Sequence, residues 1–311
     1  MILAVTMNPS VDISYLIQDF NLDDVNRVEN ARKTAGGKGL NVARVVNQLG
    51  EDVLATGVLG GTIGDYIKQE LNKSGIKNEF FRINQESRNC IAILHAGMQT
   101  EILESGPTLS ANDGEAFLRK YKELLSKASL VTISGSLPKG LGSDFYLKMV
   151  EMGREKGIPV IVDTSGESLK QVLTHTVKPF AIKPNIHELF QLFGMELSRN
   201  IGNLKQLLAS ELFHGIEWIV VSMGAEGAFV KQGEEYYQVH IPKIDVVNPV
   251  GSGDATVAGL AVALKHKQAV PTVLKTAMTT GILNTMEVGT GYINLDKFSS
   301  IFELIEVSKI D

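Results

Sequence analysis

A chain of 311 residues can form one large α/β domain or two smaller ones, with a sizeable core in either case. Hydrophobic residues make up 44% and charged residues 21%, as in ordinary soluble globular proteins. The net charge of −5, from 30 basic and 35 acidic residues, gives no ground for a nucleic-acid or anionic-membrane partner.

Cys90 is the sole cysteine, so no intrachain disulfide forms, and its setting in Asn-Cys-Ile-Ala-Ile-Leu suits a buried strand thiol better than a nucleophile. Residues 1–7 lack a basic segment and Asp12 follows soon after, which is not the pattern of a signal peptide. No apolar run is long enough to span a bilayer. A cytoplasmic enzyme or binding protein is the expectation.

Residues 2–7 are a short apolar run closed by Asn8-Pro9 and predict a first buried strand. Residues 11–16 alternate, with Val11, Ile13 and Tyr15 on one face and Asp12 and Ser14 on the other, and predict a second. Asp12, taken alone, suits a solvated strand position better than a site. A glycine loop follows, Ala35-Gly36-Gly37-Lys38-Gly39-Leu40-Asn41. Val42, Val45, Val46 and Leu49 then recur at helical spacing, with Arg44, Asn47 and Gln48 on the opposite face. Gly50 stops that helix. Three glycines around Lys38 at a helix start favour an anion site over a flexible turn with a solvated lysine.

Residues 53–58 predict a strand and 62–73 a helix. The runs 79–83, 89–95 and 101–104 read as strands without helices between them; with 11–16 they predict a small antiparallel sheet apart from the main body. Arg88 stands at the entry to one of these strands, where a solvated edge arginine and a phosphate ligand both remain open. Ser110 caps a helix running to about residue 127, and Ser143 starts another that ends near Gly157. Strands at 130–134, 159–163, 180–183 and 217–222 alternate with helical segments, which predicts a parallel sheet with helices on both faces. Their polar ends, Ser134, Asp163, Lys183 and Ser222, mark the rim where ligands of such sheets bind. Residues 229–231 and 236–241 predict an antiparallel pair, and 271–286 a late helix; nothing after 254 reads as a strong strand.

The most informative stretch is Asn248-Pro249-Val250-Gly251-Ser252-Gly253-Asp254, feeding an almost wholly apolar helix from Ala255. The free N–H groups of such a helix start bind anions. Asp254 would repel one, so it either caps the helix or takes a proton from an attacking hydroxyl. Known phosphate motifs fail on spacing: no Walker A sequence occurs, and Thr256 stands where a dinucleotide fingerprint needs glycine. The six histidines lack ligand spacing, and His95, His187 and His214 suit structural or surface positions. Two glycine loops at helix starts, one with Lys38 and one with Asp254, suit phosphoryl transfer to an alcohol, with Mg²⁺ screening a triphosphate.

Gly36-Gly37-Lys38-Gly39-Leu40-Asn41-Val42-Ala43 together with Gly251-Ser252-Gly253-Asp254 resembles the two signatures of the PfkB (ribokinase-like) carbohydrate kinases, and the intervening pattern matches over the whole chain. The resemblance implies a three-layer α/β/α sandwich with a mostly parallel central sheet, and a β-sheet lid formed from about 11–33 and 89–104 on a single domain, 1–311. It implies Asp254 as base, with Gly251, Ser252, Gly253 and the Asp254 amide as anion hole. Asp12, Gly37 and Asn41 would hold sugar hydroxyls; Lys38 and Arg88, with Arg27 and Ser136 as weaker candidates, would bind the substrate's own phosphate. Lys183, Asn185, Ser222, Gly224 and Asn284 would line the ATP site, and Asn185 and Glu188, as the family's Asn-x-x-Glu element, would organise Mg²⁺ largely through water.

Lys38 resembles the branch acting on phosphorylated ketohexoses, and the wording around Gly251 the branch that converts tagatose 6-phosphate to the 1,6-bisphosphate in lactose and galactose breakdown. The 1-phosphofructokinase and 6-phosphofructokinase branches are the alternatives. A non-catalytic sugar-phosphate sensor is the alternative of another class, and a kinase for neutral sugars or nucleosides would leave Lys38 and Arg88 without a partner. Lid strands that pair between subunits imply a homodimer. One departure stands out: many members begin the second signature with Asp, where this chain has Asn248.

Overall fold

The structure is a computed structural model that describes residues 1–96, 98–194 and 200–310. All five residues of β1 (Ile2–Thr6) are buried. Only a central strand covered on both faces gives that pattern. Alternate side chains divide accordingly: Ile2 and Ala4 enter one apolar core, Leu3 and Val5 the other.

The chain continues through β2 (Ser10–Leu16), β3 (Ala31–Gly36), α1 (Lys38–Gln48), β4 (Val53–Gly60), α2 (Gly61–Lys73), β5 (Lys77–Asn78), β6 (Phe81–Ile83), β7 (Arg88–His95) and β8 (Met98–Leu103). Next come α3 (Ala111–Leu125), β9 (Leu130–Ser134), α4 (Phe145–Glu155), β10 (Val160–Asp163), α5 (Gly166–Thr174), β11 (Ala181–Ile182), α6 (Ile186–Phe193), α7 (Ile201–Leu208) and β12 (Trp218–Ser222). The last elements are β13 (Ala228–Gln232), β14 (Glu235–His240), α8 (Ser252–Lys265), α9 (Val270–Thr285), α10 (Phe298–Leu304) and β15 (Glu306–Ile310).

The main sheet has the order β15-β14-β13-β12-β11-β10-β9-β1-β4-β5, with β6 also paired to β4. From β12 to β5 the strands are parallel. β13, β14 and β15 extend the sheet antiparallel. Helices α1, α8, α9 and α10 contribute to one core and α3 to α7 to the other. This is the expected three-layer sandwich. Ser110 caps α3 as predicted, in a reciprocal capping box with Asp113.

A second sheet of four strands has the order β3-β2-β7-β8. Its composition differs from expectation. The 79–83 run contributes β6, which pairs parallel with β4 in the main sheet, and β3 takes its place. β2 and β7 pair parallel, not antiparallel. The chain between them passes through the main sheet, so no hairpin dictates their direction. The other correction is β15, which pairs antiparallel with β14 beyond residue 254. It is a largely exposed edge strand, Glu-Val-Ser-Lys-Ile, and gives almost no apolar signal. Among the described residues no helix is long and apolar enough to cross a membrane.

Candidate active site

A cleft of about 790 Å³ lies between the two sheets. The small sheet supplies Asp12 and Arg88, the start of α1 supplies Gly37, Lys38 and Asn41, and the ends of parallel strands supply Asp163, Lys183 and Ser222. Asn185, Glu188, Gly224 and the 248–254 segment complete it.

The segment before α8 turns at Gly251, whose φ of 84° is left-handed. A Cβ there would stand 2.4 Å from Thr290 Cγ2 and 2.9 Å from Asn284 Oδ1. Gly251 is the N-cap and Ser252 the first helical residue, so the helix begins three residues earlier than its apolar run. Asp254 therefore lies inside the first turn and does not cap the helix. Its side chain turns inward, where Asn41 Nδ2 donates to Oδ2 at 2.8 Å. Burial, then the neighbouring Asp163 charge, raise its pKa from 3.8 to about 7, against the pull of Lys38, Asn41 and Lys183.

Asp163 ends β10 with 1% exposure. Its oxygens face two ammonium groups, Lys183 Nζ at 3.3 Å and Lys38 Nζ at 3.8 Å. The Asp163 charge raises the pKa of Lys38 against the opposing effect of burial. Lys183 is 4% exposed and lies against the glycine loop: a Cβ on Gly253 would meet its Nζ at 3.1 Å. Asp163 is thus shared by the two lysines. Asp163 is read from the sequence as a rim residue without a role; an acid closing the apolar run Val160-Ile161-Val162 is the signal that points to it.

The Asn185-to-Glu188 element forms a capping box at the start of α6. Asn185 Oδ1 accepts from Glu188 N and Glu188 Oε2 accepts from Asn185 N, both at 2.8 Å. Ser222 closes β12 beside Asn185, and Gly224 follows with φ of 62°. In the small sheet, Ser10 Oγ donates to Asp12 Oδ1 at 2.6 Å, while burial raises the Asp12 pKa. Arg88 lines the cleft and braces its wall, its Nε and Nη2 donating to Asn8 O and its Nη1 to Glu104 O.

Three expected residues lie elsewhere. Arg27 is exposed in the segment joining β2 to β3, and Ser136 is exposed beyond β9; neither lines the cleft. Ser136 belongs to a turn whose carbonyls at 135 and 136 are held by the Tyr146 hydroxyl. Asn284 sits behind the Gly251 turn, fully buried, and its Oδ1 accepts from Gly291 N. Cys90 lines the cleft half-buried, where the sequence suggests a core thiol, and His187 also lines it. Arg44 departs furthest from expectation: placed on the polar face of α1 by periodicity, it is 6% exposed.

The cleft contains four basic side chains, Arg32, Lys38, Arg88 and Lys183, and five carboxylates, Asp12, Glu101, Asp163, Glu188 and Asp254. Local basic residues thus do not outweigh acids. Mg²⁺ takes one or two carboxylates, with phosphate and water oxygens completing its shell. No group of three or more His, Cys, Asp or Glu among the described residues could hold a metal. Glu188 at the cleft wall fits a cation arriving with its nucleotide.

Residues 5–297 match the family described as pfkB family carbohydrate kinase. A tagatose-6-phosphate kinase of Staphylococcus epidermidis is 53% identical over 310 residues, with 100% of both chains covered. A protein of Thermotoga maritima, described as a possible 1-phosphofructokinase, is structurally similar with TM-score 0.88, 28% identity and 100% of each chain covered. Phosphofructokinase-2 of Escherichia coli in its tetrameric inhibited form shares the fold, with TM-score 0.87 at 24% identity over 97% of this chain and 98% of that one. Matched along nearly its whole length in sequence and throughout its architecture, the chain belongs to the pfkB family of carbohydrate kinases.

Proposed function

We propose that the protein transfers the γ-phosphoryl group of ATP to the C1 hydroxyl of D-tagatose 6-phosphate, giving the 1,6-bisphosphate. The observation that carries this reading is Asp254: a buried carboxyl in the first turn of α8, bonded among the described residues through Oδ2 to Asn41 and poised near pH 7. A general base works best with a pKa near the operating pH. The choice of sugar is supported by the 53% identical relative.

Asp254 accepts the hydroxyl proton as that oxygen attacks the γ-phosphorus. The amides of 251–254, at the N-cap and first turn of α8, receive the charge that develops on the transferred group. Lys38 takes the phosphate of the sugar, with Arg88 behind it, while Asp12 and Asn41 orient hydroxyls. Lys183, Ser222 and Gly224 take the nucleotide. Glu188, held by its capping box with Asn185, would hold Mg²⁺, which would supply charge neutralisation at the triphosphate. The small sheet acts as the lid. Its outer face exposes Met98 and Ile102, at 60% and 54%, and we place the second protomer of a homodimer there.

A coupled ADP-release assay with Mg-ATP tests the reading on tagatose 6-phosphate, fructose 6-phosphate, fructose 1-phosphate and unphosphorylated fructose. Tagatose 6-phosphate has the highest kcat/KM, and fructose is not turned over. With Asp254 as base, kcat/KM falls as pH drops below about 7. Asp254→Asn loses kcat by roughly 10²- to 10⁴-fold while still binding both substrates. Preference for a fructose phosphate would move the enzyme to a phosphofructokinase branch. Binding without turnover in the unaltered protein would make it a sensor.

A further inference from the structure

Arg44 is a buried cation outside the chemistry described above. Among the described residues no carboxylate pairs with it. Its guanidinium is held by oxygen acceptors from three parts of the chain: Nη1 donates to Asn41 Oδ1 at 3.0 Å and to Thr290 O at 3.1 Å, and Nη2 donates to Ala35 O. Tyr292 covers its face, with the ring centroid 5.1 Å away. Burying such a group is costly unless its donors are engaged. The acceptors include the residue that touches Asp254.

A guanidinium can only donate hydrogen bonds. The Asn41 atom facing it must be the amide oxygen. The amino end is then turned to Asp254, where it donates to Oδ2 at 2.8 Å. We propose that Arg44 is a positioning residue for phosphoryl transfer: by fixing the orientation of the Asn41 amide, it directs one N–H to Oδ2 of Asp254 and leaves Oδ1 as the oxygen that takes the acceptor's proton. The O–H bond of the sugar breaks as its oxygen bonds the γ-phosphorus, the bond from that phosphorus to the bridging oxygen breaks, ADP leaves, and the proton resides on Oδ1. This inference rests on the reading of Asp254 as base.

Without Arg44 the amide is free to turn. Its oxygen then faces Asp254 and accepts from the protonated carboxyl, so the inactive form gains a hydrogen bond. The other charged groups acting on Asp254, namely Asp163, Lys38 and Lys183, stay where they are. Asp12 and Arg32, which flank Arg44, are also unchanged; the loss of Arg44's own charge, which acts on Asp254 directly, moves the acid limb in the same direction, and the double variant with Asn41 separates the two effects.

The test is Arg44→Met, which keeps most of the stem and removes every donor. The expected result is a kcat loss of about 10²-fold, the size that misplacement of a reacting group produces. KM for ATP stays unchanged, and the acid limb of kcat/KM moves to higher pH. Arg44→Lys, which retains a donor for Asn41 Oδ1, recovers part of kcat and the original acid limb. Because Arg44 acts through Asn41, the double variant Arg44→Met/Asn41→Ala is no slower than the slower single variant. Multiplying losses, or an unmoved acid limb with only a lower Tm, would overturn the assignment. If Arg44→Met does not fold, Tyr292→Leu loosens the guanidinium without removing a donor; it lowers kcat with the same pH displacement, and an unaltered profile refutes the idea. Asp254→Asn separates the two readings: if it turns over normally, the base itself is misassigned. If it is inactive while the Arg44 and Asn41 losses multiply, only the role of Arg44 falls.

Discussion

Asp163, Lys38, Lys183 and Asp254 form one electrostatic unit, and its order explains the state of each group. Two ammonium groups share one buried carboxylate, at 3.3 and 3.8 Å. That carboxylate raises the pKa of Asp254, while the lysines lower it and burial raises it most. Lys38 is the unit's outermost member, with 43% of its side chain exposed, whereas Lys183 is enclosed at 5%. Exposure leaves Lys38 able to reach a phosphate from solvent. Lys38→Ala is therefore expected to raise KM for the phosphosugar by about 10- to 100-fold, the loss of a hydrogen bond to a charged group. KM for ATP changes little. Steady-state kinetics with each substrate varied in turn measures the split, and an equal rise in both KM values would contradict the division of roles.

At the scale of elements, the position of the 251–254 loop depends on how α8 packs on α9. Gly259 permits the close approach: a Cβ there would meet Thr280 Oγ1 at 2.3 Å, Thr276 O at 2.8 Å and Ala277 Cα at 3.0 Å. Thr280 Oγ1 also donates to Ala255 O at 2.7 Å, tying the first turn of α8 to α9. Two of the three clashes involve backbone, so a larger residue must separate the helices. Gly259→Val is expected to cost about 1–3 kcal/mol of stability, as overpacked cores do. It also weakens turnover, because the displaced helix carries both Asp254 and the anion loop. Chemical denaturation followed through Trp218, the single tryptophan, gives the first quantity, and kcat gives the second. A variant of normal stability would show that the helix contact is not tight.

For the molecule as a whole, holding Asp254 ready for chemistry opposes stability. Its folded-state pKa of about 7 lies above the ordinary 3.8, so the folded protein binds this proton more tightly than the unfolded chain does. The stabilising contribution is fully present below pH 3.8 and is lost as pH rises through about 7. Asp254→Asn, which is never charged, is expected to have a higher Tm than the unaltered protein at pH 8. That advantage fades towards pH 4, where the carboxyl in the folded protein is neutral, as the asparagine is. Thermal melts at the two pH values check this; a variant less stable at pH 8 would mean that the carboxylate is well compensated in the folded state.

The sequence by itself determined the layered α/β class, the two glycine loops and most candidate residues of the cleft. Those features reside in local periodicity and in backbone requirements that neighbouring residues express. It could not determine the direction of β2 against β7 or the home of β6, because both depend on long crossovers with no turn to dictate pairing. β15 was hidden by its polarity, since an edge strand buries too little to show an apolar pattern. Arg27 and Ser136 match the family's motif order, yet they lie outside the cleft, where loop paths place them. The pairing of Asp163 with both lysines, and the chain from Arg44 through Asn41 to Asp254, joins residues from distant segments. Only tertiary structure decides such contacts, because side-chain charge and hydrogen bonding act through space and leave no spacing in the sequence.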